Sequence, residues 1–161
     1  MKLFGKESAA ICLLDSTDKY RAIVEVVERC SIFSAVADTP SFIRHVIARE
    51  RLQSTGIGHG VAIAHGTAKG LDRVRIGLGI SHDGVEYESF DGQVVHLLFV
   101  IASSSDLQLE YLRSLSAILQ IVRSEQVRSR LTDIVQSRSE QGLEYFLSMM
   151  EEQRFEVQRA Q

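Results

Sequence analysis

Proline occurs once and cysteine twice in this 161-residue chain, and no apolar run approaches the length of a membrane span. With a lone proline, no low-complexity tract and no internal repeat, the sequence offers no linker. Residues 1–161 therefore read as one domain, with a polar tail over about 154–161 that is expected to fray. Cys12 and Cys30 sit in apolar contexts outside any CxxC spacing, so they read as buried free thiols, against a disulfide framework or a zinc site. The apolar stretch Ala9 to Leu14 is too short to cross a bilayer and lacks a cleavage-site flank. A cytoplasmic protein without membrane insertion is the expectation. Neither sign of charge dominates: 18 Lys and Arg face 21 Asp and Glu, a small acidic excess that leaves a net charge of −3. Arg and Glu are interleaved along the C-terminal half as on solvated helix faces, so nucleic acid is not expected as a partner.

What is present is an α/β pattern. Ala9 to Leu14 reads as a buried strand. Asp15-Ser16-Thr17-Asp18 supplies capping side chains for a helix carrying Tyr20, Ile23, Val24, Val27 and Cys30 at helical spacing. Thr39-Pro40 opens a second helix, because proline loses no backbone donor in the first turn. Phe42, Ile43, Val46 and Ile47 give it an apolar face, and it ends near Gln53. Residues 54–60, with three glycines in five positions, predict a loop. Val61-Ala62-Ile63 predicts a short strand that delivers His65-Gly66 at its end. Then come a strand over Val74 to Ile80, a turn at Asp83-Gly84, a weak strand over Val85 to Phe90, a turn at Asp91-Gly92, and a strand over Val94 to Ile101. Ser103 to Asp106 caps a long helix with the stripe Tyr111, Leu112, Leu115, Ile118, Leu119 and Val122. Two more helices are expected, around Glu125 to Gln136 and Ser139 to Gln153. The fold class is an α/β sandwich, its strand order not legible from these patterns.

The chemistry gathers at His65. A neutral imidazole at a strand end beside glycine is open to approach and is a competent nucleophile, since its reference pKa is about 6.5. Attack on a phosphoryl donor would give a phosphohistidine whose charge needs donors and cations nearby. Glycine backbone, Thr55 and the planar fork of Arg49 are residue types able to supply them. The spacing Gly56-x-Gly58-x-Gly60, followed by a strand, does not fit a dinucleotide-binding loop.

The stretch Ala48-Arg49-Glu50, then Ser54-Thr55-Gly56-Ile57-Gly58-His59-Gly60-Val61-Ala62-Ile63-Ala64-His65-Gly66, resembles the signature of fructose/mannitol-type enzyme IIA domains of the sugar phosphotransferase system. The nitrogen-regulatory members look most similar. The resemblance covers roughly residues 10 to 150, specific in this motif and a hydrophobic pattern only towards the C-terminus. It implies a single domain with a mixed central β-sheet flanked by helices on both faces. It further implies that His65 is the phosphoryl acceptor, that Arg49 holds the phosphate, and that Thr55 belongs to the active-site loop. The implied donor is the histidine phosphocarrier protein, and the implied targets are a regulatory kinase or a transporter. No cofactor is implied. No metal site is expected either, because none of the five histidines shows paired ligand spacing.

Two positions depart from the pattern. Ala64 stands where the family usually has proline before the histidine, relaxing the backbone there. Tyr111 stands where the family places a second active-site histidine. Its hydroxyl donates one hydrogen bond but supplies no positive charge, with a pKa near 10. His59, in the glycine loop, is a candidate substitute. His82 reads as an exposed turn residue, His96 as a strand residue, and His45 as a surface or helix-packing residue. Two functions follow: a phosphotransferase component of the regulatory kind, or a turnover-deficient binding module of the same fold. A separate fructose/mannitol-type transport subunit is the further alternative. The absence of fused membrane segments and of a cysteine-bearing second phosphotransfer domain favours regulation, and a homodimer stays open.

Overall fold

The computed structural model describes residues 9–137; the helix expected around Ser139 to Gln153 and the tail after it lie outside them. Five strands form one sheet in the order β1-β4-β5-β3-β2. They are β1 (Ala9–Leu14), β2 (Gly56–Gly58), β3 (Val61–Thr67), β4 (Arg75–Val85) and β5 (Val95–Ser103). The sheet is mixed: β1 runs parallel to β4 and β3 parallel to β5, whereas β4–β5 and β2–β3 are antiparallel.

Alternation along each strand sorts side chains to two cores. Val61 and Ile63 of β3, with Leu97, Phe99 and Ile101 of β5, pack against Ile118, Ile121 and Val122 of α3 (Gln108–Arg123) and Val127 of α4 (Glu125–Ser137). Ala62, Ala64, Leu98 and Val100 face the other way, towards α1 (Lys19–Arg29) and α2 (Thr39–Leu52). Helices therefore cover both faces, as expected.

The helix starts follow local chemistry. The Asp18 side chain accepts from the Arg21 N–H at 3.0 Å, and Asp38 accepts from Ser41 N–H at 3.0 Å with Pro40 in the first turn. Three expectations need correction. Residues 54–60 are not purely a loop: β2 forms a short hairpin with β3, with Gly58, His59 and Gly60 all at positive φ. The turn at Asp83-Gly84 is a bulge inside one long β4, where Ile80 pairs with Leu97 and Val85 with Val95. Gly84, at φ +92°, makes that bulge possible, and Glu86 contributes a bridge to Asp18, not a strand. Finally, α3 is rotated relative to the predicted stripe. Leu112 and Leu119 are exposed, and Ser114 and Ile121 are buried instead. The Ser114 hydroxyl tolerates burial by donating to the Glu110 carbonyl at 2.8 Å.

Candidate functional site

His65 and Gly66 sit near the carboxyl end of β3, against Ile101 and Ala102 of its parallel neighbour β5, with Thr67 against Ser103 at the end of both. Crevices at the carboxyl ends of strands in open α/β sheets are where ligands sit, because helices diverge there and leave space. An open pocket of about 680 Å³ occupies this end. Its walls come from α2 (His45, Ala48, Arg49, Leu52), β3 (His65, Gly66, Thr67), the segment Ser103 to Ser105, and α3 (Gln108, Tyr111).

Alternation explains how His65 reaches it. The side chain continues the row of Val61 and Ile63 towards α3, and its ring meets Tyr111 with centroids 5.5 Å apart and planes tilted by 47°. Gly66 faces α2. A β-carbon on Gly66 would lie 2.9 Å from the Val46 backbone nitrogen and 2.7 Å from its side chain. This close approach sets the last turns of α2, and with them His45 and Arg49, beside the strand end. Gly66→Ala should push α2 off β3 and cost about 1–3 kcal/mol. The check is a lowered urea midpoint together with displaced His65 ring signals in NMR spectra.

Burial and the Arg49 guanidinium both hold the His65 pKa below its ordinary value, against weaker pulls from the Ile63 carbonyl and the Glu50 carboxylate. The imidazole is thus uncharged near neutral pH, the state that has a lone pair to offer. Tyr111 is pushed up by burial, with the Arg49 charge opposing. It stays a neutral phenol. Arg49 anchors one nitrogen on the Gln53 carbonyl at 2.8 Å, at the end of α2. Among the described residues, no acidic side chain lines the pocket.

Three of the predicted residues, His65, Arg49 and Tyr111, are brought together here, from a strand and two helices. Thr55 and His59 are not among the lining residues. Thr55 is buried, and both its N–H (3.0 Å) and its hydroxyl donate to the Glu50 carboxylate. Tyr87 donates to the same carboxylate at 3.2 Å, and the Lys19 ammonium lies 3.4 Å from it. Lys19 and Glu50 are 5% and 2% exposed, so this is an interior ion pair fastening α1, α2 and the start of the β2 hairpin together. Thr55 thus serves the frame of the loop. His59 belongs to the hairpin turn at the opposite end of β3, where its N–H donates to Asp91 at 3.0 Å. His82 pairs with Asp83 near the bulge, and His96 bonds the Ser81 carbonyl. Sequence reasoning set His45 aside; the signal available was its position one helical turn before Arg49, which puts both on one face of α2.

Residues 2–147 match the family model described as "Phosphoenolpyruvate-dependent sugar phosphotransferase system, EIIA 2". A fructose-specific EIIABC component of the phosphotransferase system from Bacillus subtilis is 33% identical over 120 residues, 74% of this chain but 19% of that longer protein. A nitrogen regulatory protein from Bradyrhizobium diazoefficiens is 27% identical over 124 residues, 76% of this chain and 80% of its own length. Among solved structures, nitrogen regulatory protein IIA-Ntr from Neisseria meningitidis superposes with a TM-score of 0.67 at 25% identity, covering 78% of this chain and 85% of that one. The IIA mannitol structure from Escherichia coli superposes with a TM-score of 0.68 at 19% identity over 89% of this chain and 97% of that one, a likeness of fold.

Proposed function

The chain belongs to the EIIA 2 family of the phosphoenolpyruvate-dependent sugar phosphotransferase system, and we propose that it is a nitrogen-regulatory type member that accepts a phosphoryl group on His65 from the histidine phosphocarrier protein. The His65 lone pair attacks phosphorus; a new N–P bond forms as the N–P bond of the carrier's phosphohistidine breaks, and the electron pair returns to the carrier's imidazole. Arg49 faces the oxygens of the moving group, where charge accumulates and a cation contributes most. The observation that carries this reading is one arrangement: a half-buried imidazole kept neutral at a strand end, inside a pocket that holds Arg49 and, among the described residues, no carboxylate. Leu52, 83% exposed at the lip of the pocket, offers apolar surface to a protein donor. Likeness to nitrogen regulatory proteins supports regulation as the main task. A kinase or a transporter is the kind of target that such regulation would address.

The test is incubation with phosphoenolpyruvate, enzyme I and the carrier, followed by intact-mass measurement. An acid-labile gain of one phosphoryl group is expected, and its absence with every carrier tried would sink the proposal.

A second reading, a binding module that has lost turnover, is favoured by the phenol of Tyr111 in contact with His65. Tyr111→His separates the two. If the missing charge limits the rate, the variant should be phosphorylated roughly three- to tenfold faster, equivalent to ~0.7–1.4 kcal/mol off the barrier. An unchanged rate in quenched-flow labelling counts against a limiting role for position 111.

A further inference from the structure

The phosphoryl pocket holds an imidazole that the reading above does not use. His45 lines the pocket from α2, four residues before Arg49 on the same helix face, so both project towards the same opening. Its ring is held at one end only. Nδ1 lies 3.0 Å from the Thr67 carbonyl oxygen and 2.9 Å from the Thr67 hydroxyl. A carbonyl accepts and never donates, so Nδ1 carries a proton and the tautomer is fixed. Nε2 makes no hydrogen bond among the described residues and is available to a ligand. Thr67 also stands two residues beyond His65 on β3, on the same side of an extended chain and roughly 7 Å along it. The brace therefore fixes the His45 ring in the wall of the pocket that also holds His65.

Charge makes this position consequential. A phosphorylated side chain carries about two negative charges near neutral pH. Against them the pocket sets one permanent cation among the described residues, Arg49, which already spends one nitrogen on the Gln53 carbonyl. The remaining polar lining is neutral: Thr67, Ser103, Ser104, Ser105, Gln108 and Tyr111. Resting on the assignment of His65 as acceptor, we propose that His45 is a second phosphate-binding residue, holding an oxygen of the transferred group through Nε2 while Thr67 holds Nδ1.

Two side-chain amides separate ligand binding from a purely mechanical brace. Asparagine places its amide where Nδ1 lies and so keeps a donor for Thr67, but it has nothing at Nε2. Glutamine reaches the Nε2 position. His45→Asn and His45→Ala should both be phosphorylated about tenfold more slowly than the unaltered protein, whereas His45→Gln should stay within about threefold of it. An unaltered urea midpoint for His45→Asn would show that the brace is kept. Full activity of His45→Asn would overturn the proposal. Titration of the unaltered protein with inorganic phosphate gives a readout that needs no carrier. Displacement of the His45 ring signals together with those of His65 supports the inference, and displacement of His65 alone overturns it. Should the carrier fail to phosphorylate the unaltered protein, the acceptor assignment falls, and the phosphate titration still decides His45.

Discussion

His65→Ala should abolish the acid-labile phosphoryl gain altogether while leaving the fold intact. The ring is half-buried at the rim of a pocket, so its removal opens no sealed core cavity. Circular dichroism should be unchanged and the intact mass should stay at that of the apo protein; a persistent gain of one phosphoryl group would assign the acceptor elsewhere.

A pH signature accompanies it. Burial and Arg49 disfavour the imidazolium in the folded protein, so the unfolded chain binds that proton more readily. Between the depressed folded value and about 6.5, acidification therefore costs stability through this group; above about 6.5 both states are neutral and it contributes no slope. An NMR titration of the ring should give a midpoint below the ordinary histidine value. The part of the stability slope lying in that window should vanish in His65→Ala. A midpoint above 6.5 would contradict the electrostatics described for the site.

The largest effect on stability is expected at Glu50. Its carboxylate accepts from Thr55 twice and from Tyr87, and it pairs with Lys19, all out of reach of bulk water. Tyr87 has its pKa driven up, first by burial and then by this carboxylate, so it remains a donor. Glu50→Ala takes the buried partner from the Lys19 ammonium, leaving it only the exposed Glu88 carboxylate at 3.7 Å, and leaves the Thr55 hydroxyl and the Tyr87 phenol only each other, 3.0 Å apart. Deleting one partner of a buried pair costs about 3–5 kcal/mol, and a domain of this size has only about 5–15 kcal/mol to lose. Urea unfolding should report that loss. Replacing both ions, as in Lys19→Met with Glu50→Leu, should recover more than half of it, because the desolvation penalty of the orphaned charge disappears with the charge. A Glu50→Ala loss below about 1 kcal/mol would show that the pair is not a structural anchor.

The sequence displayed some of this and concealed the rest for identifiable reasons. The helix starts after Asp18 and at Thr39-Pro40 were legible because such signals are local, though the cap supplied by Asp38 was not read. His65 at a strand end was legible because β3 is a short apolar run closed by glycine. Glu50 looked like one more charge between Arg49 and Arg51. Its burial depends on Lys19 and Tyr87, which no local window contains. The β4 bulge was hidden because Asp83-Gly84 satisfies a turn and a bulge equally, and pairing with β5 decides between them. Thr55 was placed in the active loop by motif, yet its hydroxyl points into the interior pair. His45 gained its place only when α2 settled against Gly66.

The parallel pairing of β1 with β4, Ala9 against Ile76, also governs the order in which the molecule can assemble. During synthesis, β1 finds its partner β4 only after α1, α2, β2 and β3 have been made. The hairpin of β2 with β3 needs only its own neighbourhood. Distant pairings are slow because a long loop must close before any bond rewards it. Until that closure, β1 is an unpaired strand that another unfinished copy can capture.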